Sequence, residues 1–343
     1  MKRIISLLVF FIWGNSVISQ WQHVPNGMGI NRYVYTLTSG AGNLFAGAST
    51  GGVYFTSSSG NNWQQTSLIG PVIQSLYFSA GYLFAGTGQQ GIFYSSNNGT
   101  NWVQSSLNNK TIFSITSKNT TLFAGSDSNG VYKSSNNGAS WSPAGLAGKT
   151  IYSVEEAGGL ILAGTSNFGM YLTTDEGSSW ISVPFFNLSV FDFAADSNVI
   201  YAGTSAGIYR STNYGFNYTQ LSLSDELVNS VLISNNTLFA GTFSGGVYVS
   251  YDDGTTWQQK NEGLTQLTSS TLCIFNNYLF NGTQNSVFRR PLTELIGLQT
   301  VSSVVPSGYE LDQNYPNPFN PATNIGFKIA DFGLVRLSVF DVL

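Results

Sequence analysis

The sequence holds a single cysteine, Cys273, and a single histidine, His23. One cysteine excludes an intramolecular disulfide even in an oxidising compartment. Its place in the apolar run SSTLCIF marks a small core residue rather than a nucleophile. A lone histidine and a lone cysteine build neither a zinc site nor a Cys–His dyad without other partners. Charge is scarce as well: 13 basic against 17 acidic residues give a net of -4 over 343 residues. That balance excludes a basic surface for nucleic acid or anionic membrane as the main business of the chain. No cofactor is expected. Lysine, glutamate and arginine are few, whereas glycine, serine, asparagine and threonine abound. Such a composition favours many short strands and tight turns over helices.

The N-terminus reads MKRIISLLVFFIWGNSVISQ. Lys2 and Arg3 form a basic region ahead of the apolar stretch Ile4 to Trp13, which is too short to span a bilayer comfortably. Val17 and Ser19 are small enough for the -3 and -1 positions of a signal peptidase site, which predicts a signal peptide over residues 1–19 and a mature chain starting at Gln20. No later stretch is long and apolar enough for a transmembrane helix, so none is expected in the mature chain.

The octet SSNNGTNW, Ser95 to Trp102, returns as SSNNGASW, Ser134 to Trp141. Its glycine falls at Gly60, Gly99, Gly138, Gly177, Gly215 and Gly254, in steps of 39, 39, 39, 38 and 39. A second word, LFAG or a near variant, travels with it in seven copies, starting at Leu44, Leu83, Leu122, Ile161, Ile200, Leu238 and Leu279. A fixed period near 40 with β-type content predicts an all-β propeller, one four-stranded blade per period. In the second period the expected strands are Ile73–Phe78, Tyr82–Thr87, Gly91–Ser96 and Trp102–Ser106. The seventh period lacks a fourth strand, and WQHV at Trp21–Val24 matches WQQT at Trp63 and WQQK at Trp257. The first residues are therefore expected to complete the last blade, closing a seven-bladed ring over residues 20–292 and removing two open sheet edges.

Aligned on their glycines, the turns share a Ser/Thr, a short polar residue two places on, the glycine, and an aromatic three places beyond, as in Thr173, Asp175, Gly177 and Trp180. The polar side chains can bond backbone N–H groups across the turn, and the glycine tolerates positive φ. This pattern resembles the Asp-box, or BNR repeat, of sialidases, xyloglucanases, sortilin-type receptors and photosystem-assembly propellers. Only Asp175 and Asp252 keep the namesake residue; Ser58, Asn97, Asn136, Asn213 and Tyr218 depart from it. The resemblance implies a folding device on the face away from any active site. Two carboxylates over six turns also speak against calcium, whose sites gather several.

In a four-stranded meander the polar turns and first hairpins share one face, and the second-to-third-strand loops and blade crossings share the other. That second face carries Gln89, Gln90, Asp127, Asn129, Asn167, Phe168, Phe185, Phe186, Phe243 and Asn285, the candidate ligand-binding residues. Amides and aromatics around a channel suit a neutral hydroxylated ligand such as a glycan. No catalytic residues are assigned. A sialidase needs an arginine cluster, yet of Arg32, Arg210, Arg289 and Arg290 only Arg32 is expected near this face. A glycosidase needs two carboxylates at a defined separation. Asp192 and the Glu155–Glu156 pair could approach the channel, but the glutamates are expected toward the opposite face. Lys110, Lys118, Lys133 and Lys149 are too scattered for a basic patch.

Beyond Pro291 the repeat dissolves into a connector, residues 293–308, followed by YELDQNYPNPFNPATNIGFKIADFGLVRLSVFDVL. Three prolines between Tyr315 and Pro321 impose an extended, turn-like chain. The two alternating runs after them have the makings of a small β-sandwich. This tail resembles the type A C-terminal sorting domain of the type IX secretion system of Bacteroidetes, on YPNPFNP and on Thr323, Ile325, Phe327, Leu337, Val339 and Asp341. The resemblance implies Sec export, translocation by the type IX machinery, and release or attachment at the cell surface. The family pattern continues past D-V-L, so residues 309–343 are expected to be a truncated, incomplete copy. The sequence thus suggests a secreted or cell-surface binding scaffold for a glycan or a protein; the alternative is a carbohydrate-active glycoside hydrolase.

Overall fold

A computed structural model describes residues 20–183 and 188–296, with two further two-residue strands, Glu310–Leu311 and Phe327–Lys328. The architecture is all-β: seven four-stranded antiparallel sheets, six of them meanders built from one sequence period and the seventh completed by an N-terminal strand. The inner strands are seven residues each: Val34–Gly40, Ile73–Ser79, Ile112–Lys118, Ile151–Ala157, Val190–Asp196, Val228–Ser234 and Ser269–Phe275, in blades 1 to 7. Each inner strand packs on the next, and the first also packs on the last, so they surround a central channel.

The LFAG word is the second strand of each blade. In blade 3, Thr121–Ser126 is buried at five consecutive positions, because neighbouring blades cover both of its faces. Its glycine is set by close approach: a Cβ on Gly125 would lie 2.7 Å from Ile151 Cγ2 and 3.0 Å from the Ile151 carbonyl oxygen of the following blade. Every inner strand also carries the same irregularity: the register slips between its first and third residues, a β-bulge at the second.

The ring closes as the sequence predicts. Gln22–His23 pairs antiparallel with the third strand of blade 7, Ser286–Pro291, in the register Gln22 opposite Arg289 and His23 opposite Phe288. Trp21 is 2% exposed, and its Nε1 donates to the Lys260 carbonyl at 2.6 Å. A short 3₁₀ turn, Leu292–Glu294, brings Leu292 and Leu295 against Trp21 and Phe288. Arg290, nearly buried, bridges Glu262 at 2.8 Å and Glu294 at 3.4 Å and ties this seam together.

The fourth strands are shorter than the sequence suggests. The expected Trp102–Ser106 is reduced to Val103–Gln104, because the tryptophan belongs to the turn and the exit is bonded to neighbouring segments. The third strand of that blade is likewise trimmed to Ile92–Ser95. Cys273 is buried, and burial pushes its thiol up to about 12, in keeping with a core residue. Among the described residues no helix is long and apolar enough to cross a membrane. A second unit begins at Leu298. Within it Glu310 pairs with Lys328 and Leu311 with Phe327; the rest of the expected sorting domain, like the expected signal peptide, lies outside the described residues.

Candidate functional site

The polar turns come first, because they settle which face is structural. In all six, the leading Ser or Thr hydroxyl accepts the N–H of the turn glycine, at 2.8 to 3.2 Å. The residue two places on accepts the N–H four places beyond it, as Asp175 does from Ser179 at 2.8 Å and Asn97 from Asn101 at 2.9 Å. Bonds from the Ser179 hydroxyl and N–H and from Thr173 hold the Asp175 carboxyl down to about 2. Neighbouring blades are joined through the same turns. Ser67 N–H donates to the Gly99 carbonyl at 3.3 Å, Ser106 N–H to Ala139 at 3.1 Å, and Trp180 Nε1 to Ala144 at 2.6 Å. With their polar atoms engaged this way, the turns are joints between blades.

The opposite face is also tightly bonded. Each second-to-third-strand hairpin is tied to a blade crossing, as Gly91 N–H is to the Lys110 carbonyl and Gly169 N–H to Leu188. The candidate polar residues serve these ties. Asp127 Oδ1 accepts from the Thr150 hydroxyl at 2.8 Å, and Asn129 donates to the Asp127 carbonyl while accepting from Lys110 Nζ at 2.9 Å. Asn167 Oδ1 accepts from Ser189 at 3.1 Å, and Asn285 Oδ1 accepts from Asn31 N–H at 3.0 Å. Gln89 holds a positive φ of 85°, and Gln90 N–H caps Thr87 at 3.0 Å.

Two exposed candidates are aromatic, Phe168 at 57% and Phe243 at 52%; Gln89 and Gln90 are exposed as well. Lys149 Nζ lies 4.2 Å from the Phe168 ring centroid. Phe185 and Phe186 lie outside the described residues. Gln89 and Gln90 share one hairpin, Asp127 and Asn129 a second, and Asn167 and Phe168 a third, while Phe243 and Asn285 stand on hairpins of other blades. Arg32 is on this face as expected, but it is held by the Thr50 carbonyl at 2.7 Å and by the Tyr54 hydroxyl.

The convergent site is the channel itself, a cavity of about 310 Å³. The bulged second residues of the inner strands line it: Tyr35, Phe113, Tyr152 and Phe191, with Gln74, Asn229 and Ser270. The ring of Tyr152 lies 5.4 Å from that of Phe113 and 5.3 Å from that of Phe191, forming an aromatic arc. The third residues also line the cavity, and each is a hydroxyl except one: Thr36, Ser75, Ser114, Ser153, Asp192, Ser230 and Thr271. Four of them accept an N–H from the next blade. Thr36 takes Leu76 at 3.1 Å, Ser114 takes Val154 at 3.1 Å, Asp192 takes Val231 at 2.9 Å, and Ser230 takes Leu272 at 3.1 Å.

Here the structure corrects one expectation. Glu156 turns away, accepting the Gly159 N–H at 2.8 Å, but Glu155 lines the same cavity as Asp192 rather than the opposite face. Burial, then repulsion from Asp192 and Glu156, pushes the Glu155 carboxyl up to about 8. Burial raises Asp192 to about 6, against hydrogen bonds from Val231, Phe193 and Ser230. Sequence reasoning missed the aromatic arc. Its residues recur at the repeat period, but only the bulge aims them inward.

No family model matches the chain, and no curated protein matches it. Solved structures do. The extracellular domain of BT4673 from B. thetaiotaomicron aligns with a TM-score of 0.67 at 19% identity, over 79% of this chain and 40% of that one. YCF48 from Cyanidioschyzon merolae aligns with a TM-score of 0.64 at 14% identity, over 80% of this chain and 99% of that one. The GH74 xyloglucanase from Xanthomonas campestris aligns with a TM-score of 0.65 at 17% identity, over 83% of this chain and 55% of that one. The chain thus spans about two fifths of the BT4673 structure and just over half of the xyloglucanase. These likenesses are likenesses of fold.

Proposed function

We propose that the chain is a secreted or surface-displayed propeller that binds a glycan or a surface protein through its loop face, without catalysis. The observation that carries this reading is the contrast on that face: Asp127, Asn129, Asn167 and Asn285 are held by hydrogen bonds, while Phe168 and Phe243 stand open at the tips of two hairpins. Rigid, exposed rings offer apolar area at little entropic cost, which suits stacking on a sugar face or seating in a protein groove. Extracellular domains among the structural neighbours support the location. Residues 1–19 as a signal peptide and residues 309–343 as a sorting domain for the type IX machinery supply the route, and the six turns fit the Asp-box resemblance.

A hydrolytic role fits less well. Asp192 does for Val231 what a hydroxyl does for the corresponding residue in other blades, so its carboxylate already has a structural task. The reading is tested with Phe168→Ala and Phe243→Ala in glycan-array and secretome pull-down measurements. Loss of captured ligand is expected, and capture unchanged in both variants rules the loop face out. Deleting residues 309–343 is expected to hold the protein in the periplasm.

A further inference from the structure

We propose that the central channel is a second binding site, for a small organic cation whose ammonium group sits against Glu155 and whose carbon skeleton lies on the aromatic arc. This site is separate from the loop-face platform, and neither depends on the other.

Three observations carry it. First, the cavity of about 310 Å³ holds two carboxylates, Glu155 and Asp192, and no lysine, arginine or histidine lines it. Two acids lining one cavity repel each other and lose hydration, so a cation between them is what would let both carry charge. Second, the two acids are not equivalent. Asp192 takes hydrogen bonds from blade 6, whereas among the described residues no donor meets the half-buried Glu155 carboxyl. The Glu155 carboxyl is thus an open acceptor on the cavity wall. The hydroxyl oxygen of Ser270, also in that wall, is buried without a partner. Third, Tyr35, Phe113, Tyr152 and Phe191 present aromatic rings to the same cavity. Ring faces attract cations, and more strongly where water is excluded.

The chemistry selects the class. A neutral sugar brings no charge that would let both acids ionise together. A bare divalent metal ion needs more oxygen ligands than two acids supply, and no group of three His, Cys, Asp or Glu able to hold a metal occurs among the described residues. An alkyl ammonium supplies the charge, donates hydrogen bonds to Glu155, and offers C–H surface to the rings.

The test is isothermal titration calorimetry on the full chain, with putrescine, tetramethylammonium and calcium chloride as probes. Wild type is expected to bind putrescine, and Glu155→Gln to bind it at least about tenfold more weakly. Circular dichroism checks that the variant is folded. Phe191→Leu, which keeps an apolar side chain but removes a ring, is expected to weaken both ammonium probes in a chain that still melts cooperatively. The proposal is overturned if neither ammonium probe binds at about 10 mM, if Glu155→Gln binds putrescine as wild type does, or if calcium binds and putrescine does not displace it.

Discussion

Val231 donates its backbone N–H to Asp192 Oδ2 at 2.9 Å across the boundary between blades 5 and 6. The same link is made by Thr36, Ser114 and Ser230 with a hydroxyl at other boundaries. The inner strands of different blades share no β-ladder, so these side-chain acceptors satisfy N–H groups that would otherwise face the channel wall alone. Asp192 therefore has two properties to separate: an acceptor that its position needs and a charge that its position does not.

Substitution separates them. Asp192→Ser and Asp192→Ala both remove the charge, but only serine keeps an oxygen for Val231. Asp192→Ala is expected to be less stable than Asp192→Ser by about 1–3 kcal/mol, the cost of a buried N–H left unpaired. Urea denaturation of the two variants measures the difference. Equal stability would show that the link to Val231 holds nothing.

Glu155 carries a pH signature. Its carboxyl titrates near 8 in the fold, against an ordinary value of 4.5, because burial and the charges of Asp192 and Glu156 oppose ionisation. Between those values the unfolded chain has lost the proton while the folded chain keeps it. Stability from this group therefore falls as pH rises from 4.5 toward 8, and is level above that. Asp192, raised to about 6, acts in the same direction but is finished by neutral pH. Glu155→Gln removes the penalty, so the variant should exceed wild type by a few kcal/mol at about pH 9 and lose that margin near pH 5. Melts at the two pH values decide it; a margin that does not change with pH would place Glu155 in contact with bulk water.

The fold was legible because each period repeats its hydrophobic and turn chemistry nearly word for word. LFAG marks the strand buried on both faces, and the octet marks the joint. Closure could be read from the match of Trp21–Val24 to Trp63 and Trp257, since a missing strand at one end and a spare at the other have one economical solution. The site was less legible. Periodicity places Asp192 third and Glu155 fifth on their inner strands, so alternation turns both the same way. The glutamate's place near the end of its strand suggested the opposite face, and only the shape of the channel shows that one cavity reaches both. The loop-face residues failed to converge for another reason: asparagine and aspartate in tight hairpins bond their own backbone. Asn129 does this, and Asn167 is taken up by the Ser189 hydroxyl of the blade crossing, so amide composition there reports turns as much as ligands.

The seam of the ring gives the last prediction. Trp21 is fully enclosed by Phe288, Leu292 and Leu295, with its N–H groups held by Lys260 and Glu262, whereas Trp102 is only half-buried. Truncating a buried tryptophan costs about 3–5 kcal/mol, and less where the ring is already wet. Trp21→Ala is therefore expected to cost more stability than Trp102→Ala. It should also do something the other variant does not. Without its anchor, Gln22–His23 leaves the third strand of blade 7, and Ser286–Pro291 becomes an open edge of unpaired N–H and C=O groups. Such an edge pairs with another chain, so Trp21→Ala should associate as concentration rises, by size-exclusion chromatography, while Trp102→Ala stays at the wild-type elution volume. If the two variants melt and elute alike, the N-terminal strand is not what shuts blade 7, and the closure must rest on Arg290 with Glu262 and Glu294.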